Sequence, residues 1–199
     1  MKILIVGAGG TLGQAVSDEL GARHDIVRAG RSRGDVRVDL RDAASIAAMF
    51  RDVDDLDAIV CTAGKVPFKP LADLDDADYL DGLQDKLMGQ VRLVQAGAPC
   101  LRDGGSITLI TGILTEQPIV AGACASMVNG AVEAFVRAAA IELPRGIRIN
   151  AVSPNVFEES MGSYGPFFRG FEPVPVKRAA LAFSRSVEGR QTGQVYKVW

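Results

Sequence analysis

The stretch ILIVGAGGTLG, residues 3–13, decides the fold of this 199-residue chain. Its four consecutive apolar residues, ILIV, are typical of a strand that is covered on both faces, and a helical pattern begins after the glycines. Glycines let the backbone come close to a ligand, and the unpaired N–H groups of a helix N-terminus attract phosphate. The stretch therefore predicts a strand, a nucleotide-binding turn and a helix. A tight turn without a ligand is the alternative.

The rest of the chain alternates short strand patterns with helical patterns. Strand patterns cover residues 3–6, 25–29, 36–40, 57–61, 106–111, 147–152 and 194–199. Helical patterns, with apolar residues three and four positions apart, cover residues 12–22, 42–51, 73–81, 83–101, 122–143 and 174–186. Such alternation requires right-handed crossovers between parallel strands. We therefore predict an α/β fold, a doubly wound, Rossmann-like parallel sheet of about seven strands with helices on both faces, with residues 1–199 as a single domain.

The turn after the second strand pattern bears on the choice of nucleotide. A carboxylate at this position would bind the 2′-hydroxyl of an adenosine ribose, whereas the sequence AGRSRGD, residues 29–35, offers Arg31, Ser32 and Arg33. Guanidinium and hydroxyl donors suit a 2′-phosphate. The loop therefore favours NADP over NAD, and a solvated basic turn without a ligand is the alternative.

Composition narrows the class of partner. Lys plus Arg number 22 against 24 Asp plus Glu, so no basic field is present to hold nucleic acid or an anionic membrane. Three scattered cysteines and one histidine give no basis for a metal site. The N-terminal apolar run is shorter than the roughly 7–15 residues of a signal peptide core, and no run reaches the roughly 20 residues of a membrane span. We expect a cytoplasmic protein that acts on a small molecule.

Four further motifs follow the glycine-rich turn: VDL at 38–40, CTAG at 61–64, GSITLITG at 105–112 and INAVSPN at 149–155. In this order and spacing the chain resembles the short-chain dehydrogenase/reductase superfamily. The resemblance implies a protein that binds NAD(P)H and moves hydride between nicotinamide and a carbonyl or alcohol. It also implies that Asp39 meets the adenine edge. The implied cofactor-binding residues are Gly7, Gly9, Gly10, Thr11, Leu12, Gly13, Arg31, Ser32, Asp39, Leu40, Ala63, Gly64, Pro154, Asn155 and Val156.

The catalytic positions depart from the family pattern of Ser, Tyr-x-x-x-Lys and an Asn on the preceding helix. When the chain is aligned with the family through the segments SITLIT, AVEAF and AAAIEL, Ala125 falls at the position of the tyrosine and Asn129 at the position of the lysine. The serine position falls on Gly112, beside the hydroxyl of Thr111. Lys86 stands where the family has asparagine. Carbonyl reduction needs a proton donor near the oxygen, and neither Ala125 nor Asn129 can replace the Tyr–Lys pair directly.

Two other side chains could take part in proton delivery. Lys86 could donate a proton or hold the cofactor ribose, and the alternative is a lysine paired with Asp85 or Asp81 on a solvated helix face. Tyr164 lies in the irregular segment 153–173, which is typical of a lid or substrate loop, where it could act as an acid or a stacking ring, or only close a pocket. The candidate catalytic residues are therefore Thr111, Lys86, Asn129 and Tyr164.

Two functions follow from this pattern. The first is an NADP(H)-dependent oxidoreductase with altered catalytic residues that acts on a small carbonyl or alcohol. The second is a catalytically silent NADP(H)-binding sensor or scaffold, because loss of Tyr and Lys together would leave the cofactor site without its chemistry. A third, weaker hypothesis is a structural member of the family that binds no cofactor. The presence of the glycine-rich motif GAGGTLG argues against it. Small residues on the helices at 83–101 and 122–143 also favour a homodimer or higher homo-oligomer, and the resemblance implies a dimer interface on these helices. The alternative is that these small residues only pack on the sheet.

Overall fold

Seven parallel strands form one sheet in the computed structural model, which describes residues 1–199. They are β1 (Lys2–Val6), β2 (Asp25–Gly30), β3 (Val36–Arg37), β4 (Leu56–Cys61), β5 (Leu101–Ile110), β6 (Arg148–Pro154) and β7 (Val195–Val198). The spatial order is β3-β2-β1-β4-β5-β6-β7, and every neighbouring pair is parallel. The strand order reverses between β1 and β4, which opens a crevice at the carboxyl ends of these two strands.

The chain has seven helices, and five of them pack on the sheet and explain the apolar character of its strands. The seven helices are α1 (Thr11–Gly21), α2 (Ala43–Asp52), α3 (Asp76–Gly82), α4 (Met88–Gly97), α5 (Ala123–Glu142), α6 (Met161–Tyr164) and α7 (Val176–Glu188). Ile3 and Ile5 of β1 pack in one core with α1 and α7, whereas Leu4 and Val6 pack in the other with α2, α4 and α5. Because strand side chains alternate between faces, both must be apolar. The predicted doubly wound sheet is thus confirmed.

The helix and strand boundaries differ from the predicted ones mainly between residues 71 and 111. The two helical patterns form one nearly continuous helix, in which a π-helical turn, Leu83–Leu87, joins α3 to α4. Strand β5 begins at Leu101 rather than at residue 106, because Leu101 pairs with Leu56 before a register shift. The glycine pair at 104–105 hides this early part of the strand from a pattern-based prediction.

Helix α5 is the one helix that is long and apolar enough to cross a membrane by length and composition alone. Its inner face is buried in the core on the same side of the sheet as α2 and α4, through Val132 and Val136. Packing against the sheet therefore accounts for the apolar residues of this inner face.

Candidate functional site

Two adjoining cavities lie at the carboxyl ends of the strands. The first, of about 570 Å³, is bounded by the glycine-rich turn, the loop after β2 and the end of β4. The second, of about 440 Å³, continues over the ends of β4, β5 and β6. Both are lined by Thr62, Gly64 and Lys65, so they form one cleft. This is the crevice that the reversal of strand order creates.

The glycine-rich turn forms the inner wall of the first cavity. Gly7 has a φ of +89° and donates its N–H to Ala29 O at 2.9 Å, a conformation that side chains disfavour. A Cβ on Gly13 would collide with the Gly7 carbonyl, so this glycine allows α1 to pack against the turn. Helix α1 begins at Thr11 with neither a side-chain cap nor an acidic residue in its first turn. Its unpaired N–H groups therefore remain available to an anion.

The loop after β2 supplies positive charge at the outer end of the first cavity. Arg31, Ser32 and Arg33 are exposed and line the cavity, and neither guanidinium takes part in an ion pair. Asp39 and Leu40 form the neighbouring wall. The Asp39 carboxylate is half-buried and accepts a hydrogen bond from the Arg41 N–H at 2.9 Å through one oxygen, Oδ1. Nine predicted cofactor-binding residues line this cavity: Gly7, Gly9, Gly10, Arg31, Ser32, Asp39, Leu40, Ala63 and Gly64. Thr11 and Leu12 line the second cavity instead, and Gly13 lines neither.

Lys86 is a buried cation in the second cavity. It lies in the π-helical turn, is 8% exposed, and donates from Nζ to the backbone carbonyl of Thr111 at 3.3 Å. Burial lowers its pKa from 10.5 to about 8, an effect that nearby acidic groups partly oppose. Asp81 pairs with Arg41, and Asp85 accepts the Lys65 backbone N–H. The alternative of a solvated Lys86 paired with one of these aspartates is therefore wrong.

Helix α5 presents a stripe of three residues, each one turn apart, to the end of β5. Ala125 and Asn129 line the second cavity, and Glu133 lies one turn further along. Asn129 is 3% exposed, and its Oδ1 has no hydrogen-bond partner in the protein. A buried acceptor without a partner is costly, so this atom suits a hydroxyl or amide donor from a ligand.

The hydroxyl of Thr111 points towards helix α5. Thr111 Oγ1 donates to Glu133 Oε1 at 3.0 Å and lies 3.3 Å from the carbonyl of Val152. Sequence reasoning did not single out Glu133. The available signal was its spacing of four residues from Asn129, which places both residues on one face of the helix.

The segment after β6 forms the aromatic wall of the second cavity. Tyr164 is 42% exposed and packs edge-on against Phe68, with ring centroids 5.6 Å apart. Pro154, Asn155 and Val156 line the floor. The Asn155 amide donates to Glu172 O at 2.8 Å and its Oδ1 accepts the Val156 N–H, so this side chain orders the segment. The wall combines apolar rings with one phenol.

Sequence reasoning missed other residues that line the cleft. Thr62 and Lys65 flank the predicted pair Ala63 and Gly64 and border both cavities. Asp85 borders the first cavity. The signal for Thr62 and Lys65 was their position beside CTAG, at the carboxyl end of a buried strand.

Comparison with known proteins identifies the family of this chain. Residues 8–196 match a family described as enoyl-(acyl carrier protein) reductase. The protein lin1944 from Listeria innocua is 51% identical over the whole of both chains, and its structure superposes with a TM-score of 0.99. The uncharacterized oxidoreductase YmfI of Bacillus subtilis (strain 168) is 27% identical over 184 residues, 79% of this chain and 75% of that protein. A small-chain dehydrogenase solved in complex with NADPH is 23% identical, with a TM-score of 0.88 over 100% of this chain and 96% of that one. The chain belongs to the short-chain dehydrogenase/reductase superfamily of oxidoreductases.

Proposed function

We propose that this protein is an NADP(H)-dependent oxidoreductase that interconverts a small carbonyl compound and its alcohol, with Lys86 as the proton donor. One observation carries the proposal: a single cleft has a basic loop at one end and a buried lysine at the other. An anionic dinucleotide and a reacting oxygen need these two features at opposite ends of one site.

The residues of the cleft fit the cofactor. The uncapped N-terminus of α1 suits the pyrophosphate, and Arg31 and Ser32 suit the 2′-phosphate. The unpartnered Oδ1 of Asn129 suits a donor on the nicotinamide half. The related fold that was solved with NADPH supports the same assignment. We therefore assign NADPH, in preference to NADH, as the cofactor.

The proposed chemistry divides between the cofactor and Lys86. NADPH, when bound, supplies a hydride to the carbonyl carbon. The Lys86 ammonium donates a proton to the carbonyl oxygen, and the resulting amine takes up a proton from water. An acid whose pKa is about 8 is mostly protonated at pH 7 and still acidic enough to donate. Tyr164 and Phe68 close the pocket over the substrate.

A second candidate function rests on the composition of the α5 stripe. In the proposed register, Ala125 and Asn129 replace the family's tyrosine and lysine, and Thr111 directs its hydroxyl to Glu133. A protein with this stripe could bind NADP(H) without turnover and act as a sensor or scaffold. The difference between the two functions lies in whether Lys86 delivers a proton.

Cofactor titration followed by a turnover assay tests both functions. Cofactor-free protein is titrated with NADPH and with NADH, and carbonyl compounds are then added while the absorbance of the reduced nicotinamide is recorded. The oxidoreductase requires tight NADPH binding and an oxidation rate that falls at least about 100-fold in Lys86→Met, the size of a typical general-acid contribution. Binding without turnover on any carbonyl selects the sensor. Binding of neither cofactor eliminates both functions.

We also propose a cytoplasmic location and a homodimer. The three cysteines are free thiols, which is typical of a reducing compartment. An apolar stripe on the outer face of α5 supports the dimer.

A further inference from the structure

Glu133 is a buried carboxylate that the proposed chemistry does not use. It is 4% exposed and lies on α5, below the floor of the second cavity. Two hydroxyl groups donate to it, Thr111 Oγ1 at 3.0 Å and Thr115 Oγ1 at 3.1 Å, and both reach the same oxygen, Oε1. Burial of an acidic side chain costs free energy. A carboxylate at this buried position therefore needs partners or a function that offset this cost.

Thr111 connects Glu133 to Lys86. Its hydroxyl donates to the carboxylate, and its backbone carbonyl accepts from Lys86 Nζ at 3.3 Å. Lys86 forms no ion pair with Glu133 or with any other acid in the structure. The two side chains, from the π-helical turn and from α5, therefore meet through one residue at the end of β5.

Three acidic groups act on the charge of Lys86, and Lys65 and Tyr164 line the same cavity. Cys61, at the end of β4, is neutral in the working pH range because burial raises the pKa of its thiol to about 12. Asp85, on the same turn as Lys86, is half-exposed and engaged by the Lys65 N–H, so solvent screens its charge. Glu133 is shielded from solvent, and a buried charge acts over a longer range. It is thus the acid best placed to favour the ammonium.

We propose that Glu133 is a positioning residue, which keeps Lys86 in its ammonium form and fixes the Thr111 carbonyl to which Lys86 donates. The role rests on the proposed function, because it matters to turnover only if Lys86 is the proton donor. The simpler alternative is that Glu133 only tethers Thr111 and Thr115 to α5. Glu133→Gln separates the two, since one amide oxygen can accept both hydroxyl hydrogen bonds while the negative charge is removed.

The test is an NMR titration of the lysine ε-carbons in cofactor-free protein, with the Lys86 signal assigned by its loss in Lys86→Arg. We expect Lys86 in Glu133→Gln to titrate at lower pH than in the wild type. Glu133→Asp, which keeps the charge and shortens the tether, should titrate close to the wild type. Glu142→Gln, an exposed change at the end of the same helix, is the matched control and should cause no shift. The same Lys86 titration in wild type and Glu133→Gln would overturn the proposal.

Two further readouts cover the other outcomes. If Glu133→Gln does not fold, the charged variant Glu133→Asp can still contradict the electrostatic role, through a Lys86 titration that falls well below that of the wild type. If the protein turns over, the alkaline limb of its kcat/KM profile should move to lower pH in Glu133→Gln, in step with the NMR titration. Absence of turnover would defeat the proposed function while the NMR result still decides the link between Glu133 and Lys86.

Discussion

At the residue scale, Lys86 combines a proposed role in proton transfer with a cost in stability. Its pKa falls from 10.5 to about 8 on folding because burial disfavours the charge. The unfolded chain therefore binds a proton more tightly than the folded one between these two pH values. By linkage, the folded state is penalised fully below pH 8 and progressively less as the pH rises towards 10.5. A pKa shift of this size corresponds to up to about 3 kcal/mol.

Replacement of Lys86 by methionine should therefore stabilise the protein at pH 7. We expect the free energy of unfolding to rise by about 1–3 kcal/mol in Lys86→Met, and the advantage to shrink between pH 8 and 10.5 as the wild type loses its buried charge. Denaturant unfolding from pH 6 to 11 measures this difference. Lys86→Arg, which stays charged, is the control and should show no gain. A Lys86→Met protein that is less stable at pH 7 would contradict the burial argument.

Arg31 should decide between the two nicotinamide cofactors. In Arg31→Ala, we expect the Kd of NADPH to rise about 10-fold or more, because a charge-assisted hydrogen bond to the 2′-phosphate is lost, while the Kd of NADH changes little. Arg51→Ala, a surface change in the last turn of α2, serves as the control. Fluorescence titration with both cofactors gives the comparison. Equal losses for NADPH and NADH would show that Arg31 does not contact a 2′-phosphate.

At this scale, the sequence predicts the role of a side chain only where a neighbouring motif or pattern points to it. The resemblance singled out Lys86 by position, but the pattern left open whether the amine was solvated. Only the π-helical turn, which carries Lys86 into the cavity, decides that question. Glu133 had no motif of its own because its partners lie 18 and 22 residues earlier in the chain. Contacts of this kind depend on how α5 packs against the end of β5.

At the element scale, two glycines of the glycine-rich turn have different roles. Gly13 is needed for the packing of α1, whereas we propose that Gly9 leaves room for the cofactor. A Cβ on Gly9 would meet no atom within 4 Å, whereas a Cβ on Gly13 would meet the Gly7 carbonyl. Gly9→Ala should therefore fold with an unchanged Tm yet bind NADPH at least about 10-fold more weakly, because its methyl group enters the cleft. Gly13→Ala should lower the Tm. Differential scanning calorimetry and cofactor titration test the pair, and a Gly9→Ala protein with full NADPH affinity would argue against phosphate binding at this turn.

Strands that are covered on both faces were predictable from the sequence, since few other structures are compatible with short continuous apolar runs such as ILIV. The start of β5 was not, because Gly104 and Gly105 interrupt the pattern where Leu101 already pairs with Leu56. The π-helical turn was also missed. Its sequence, LQDKL, has no feature that distinguishes it from a regular helix, so the extra residue is visible only in the backbone hydrogen bonds.

At the scale of the whole molecule, the two ends of the cleft come from different parts of the chain. The glycine-rich turn and the loop after β2 shape the first cavity, whereas the π-helical turn, α5 and the segment after β6 shape much of the second. Helix α5 lines only the second of these cavities, so a substitution on this helix leaves the lining of the first unchanged. Under the proposed function, this division lets one chain keep a dinucleotide site beside changed catalytic positions.

The outer face of α5 leads to a prediction about assembly. Met127, Ala134, Ala138 and Ile141 form an exposed stripe along this helix, and Ile141 is 87% exposed. Beside the stripe, a groove of about 770 Å³ between α4 and α5 is lined by apolar residues such as Val94 and Phe135 and by polar ones such as Gln95 and Arg145. An apolar surface of this kind is typical of an interface between subunits. A second copy of α5 related by two-fold symmetry would cover the stripe in both chains.

Light scattering should therefore give a mass twice the 21.1 kDa of the chain at micromolar concentration. Ile141→Lys would place a charge within the buried patch, so we expect this variant to have the mass of one chain. Leu181→Lys, a change of the same kind on α7 at a side chain that is 58% exposed, is the control and should leave the mass doubled. A single-chain mass for the wild type would reject the dimer. A doubled mass that persists in Ile141→Lys would instead move the interface away from α5.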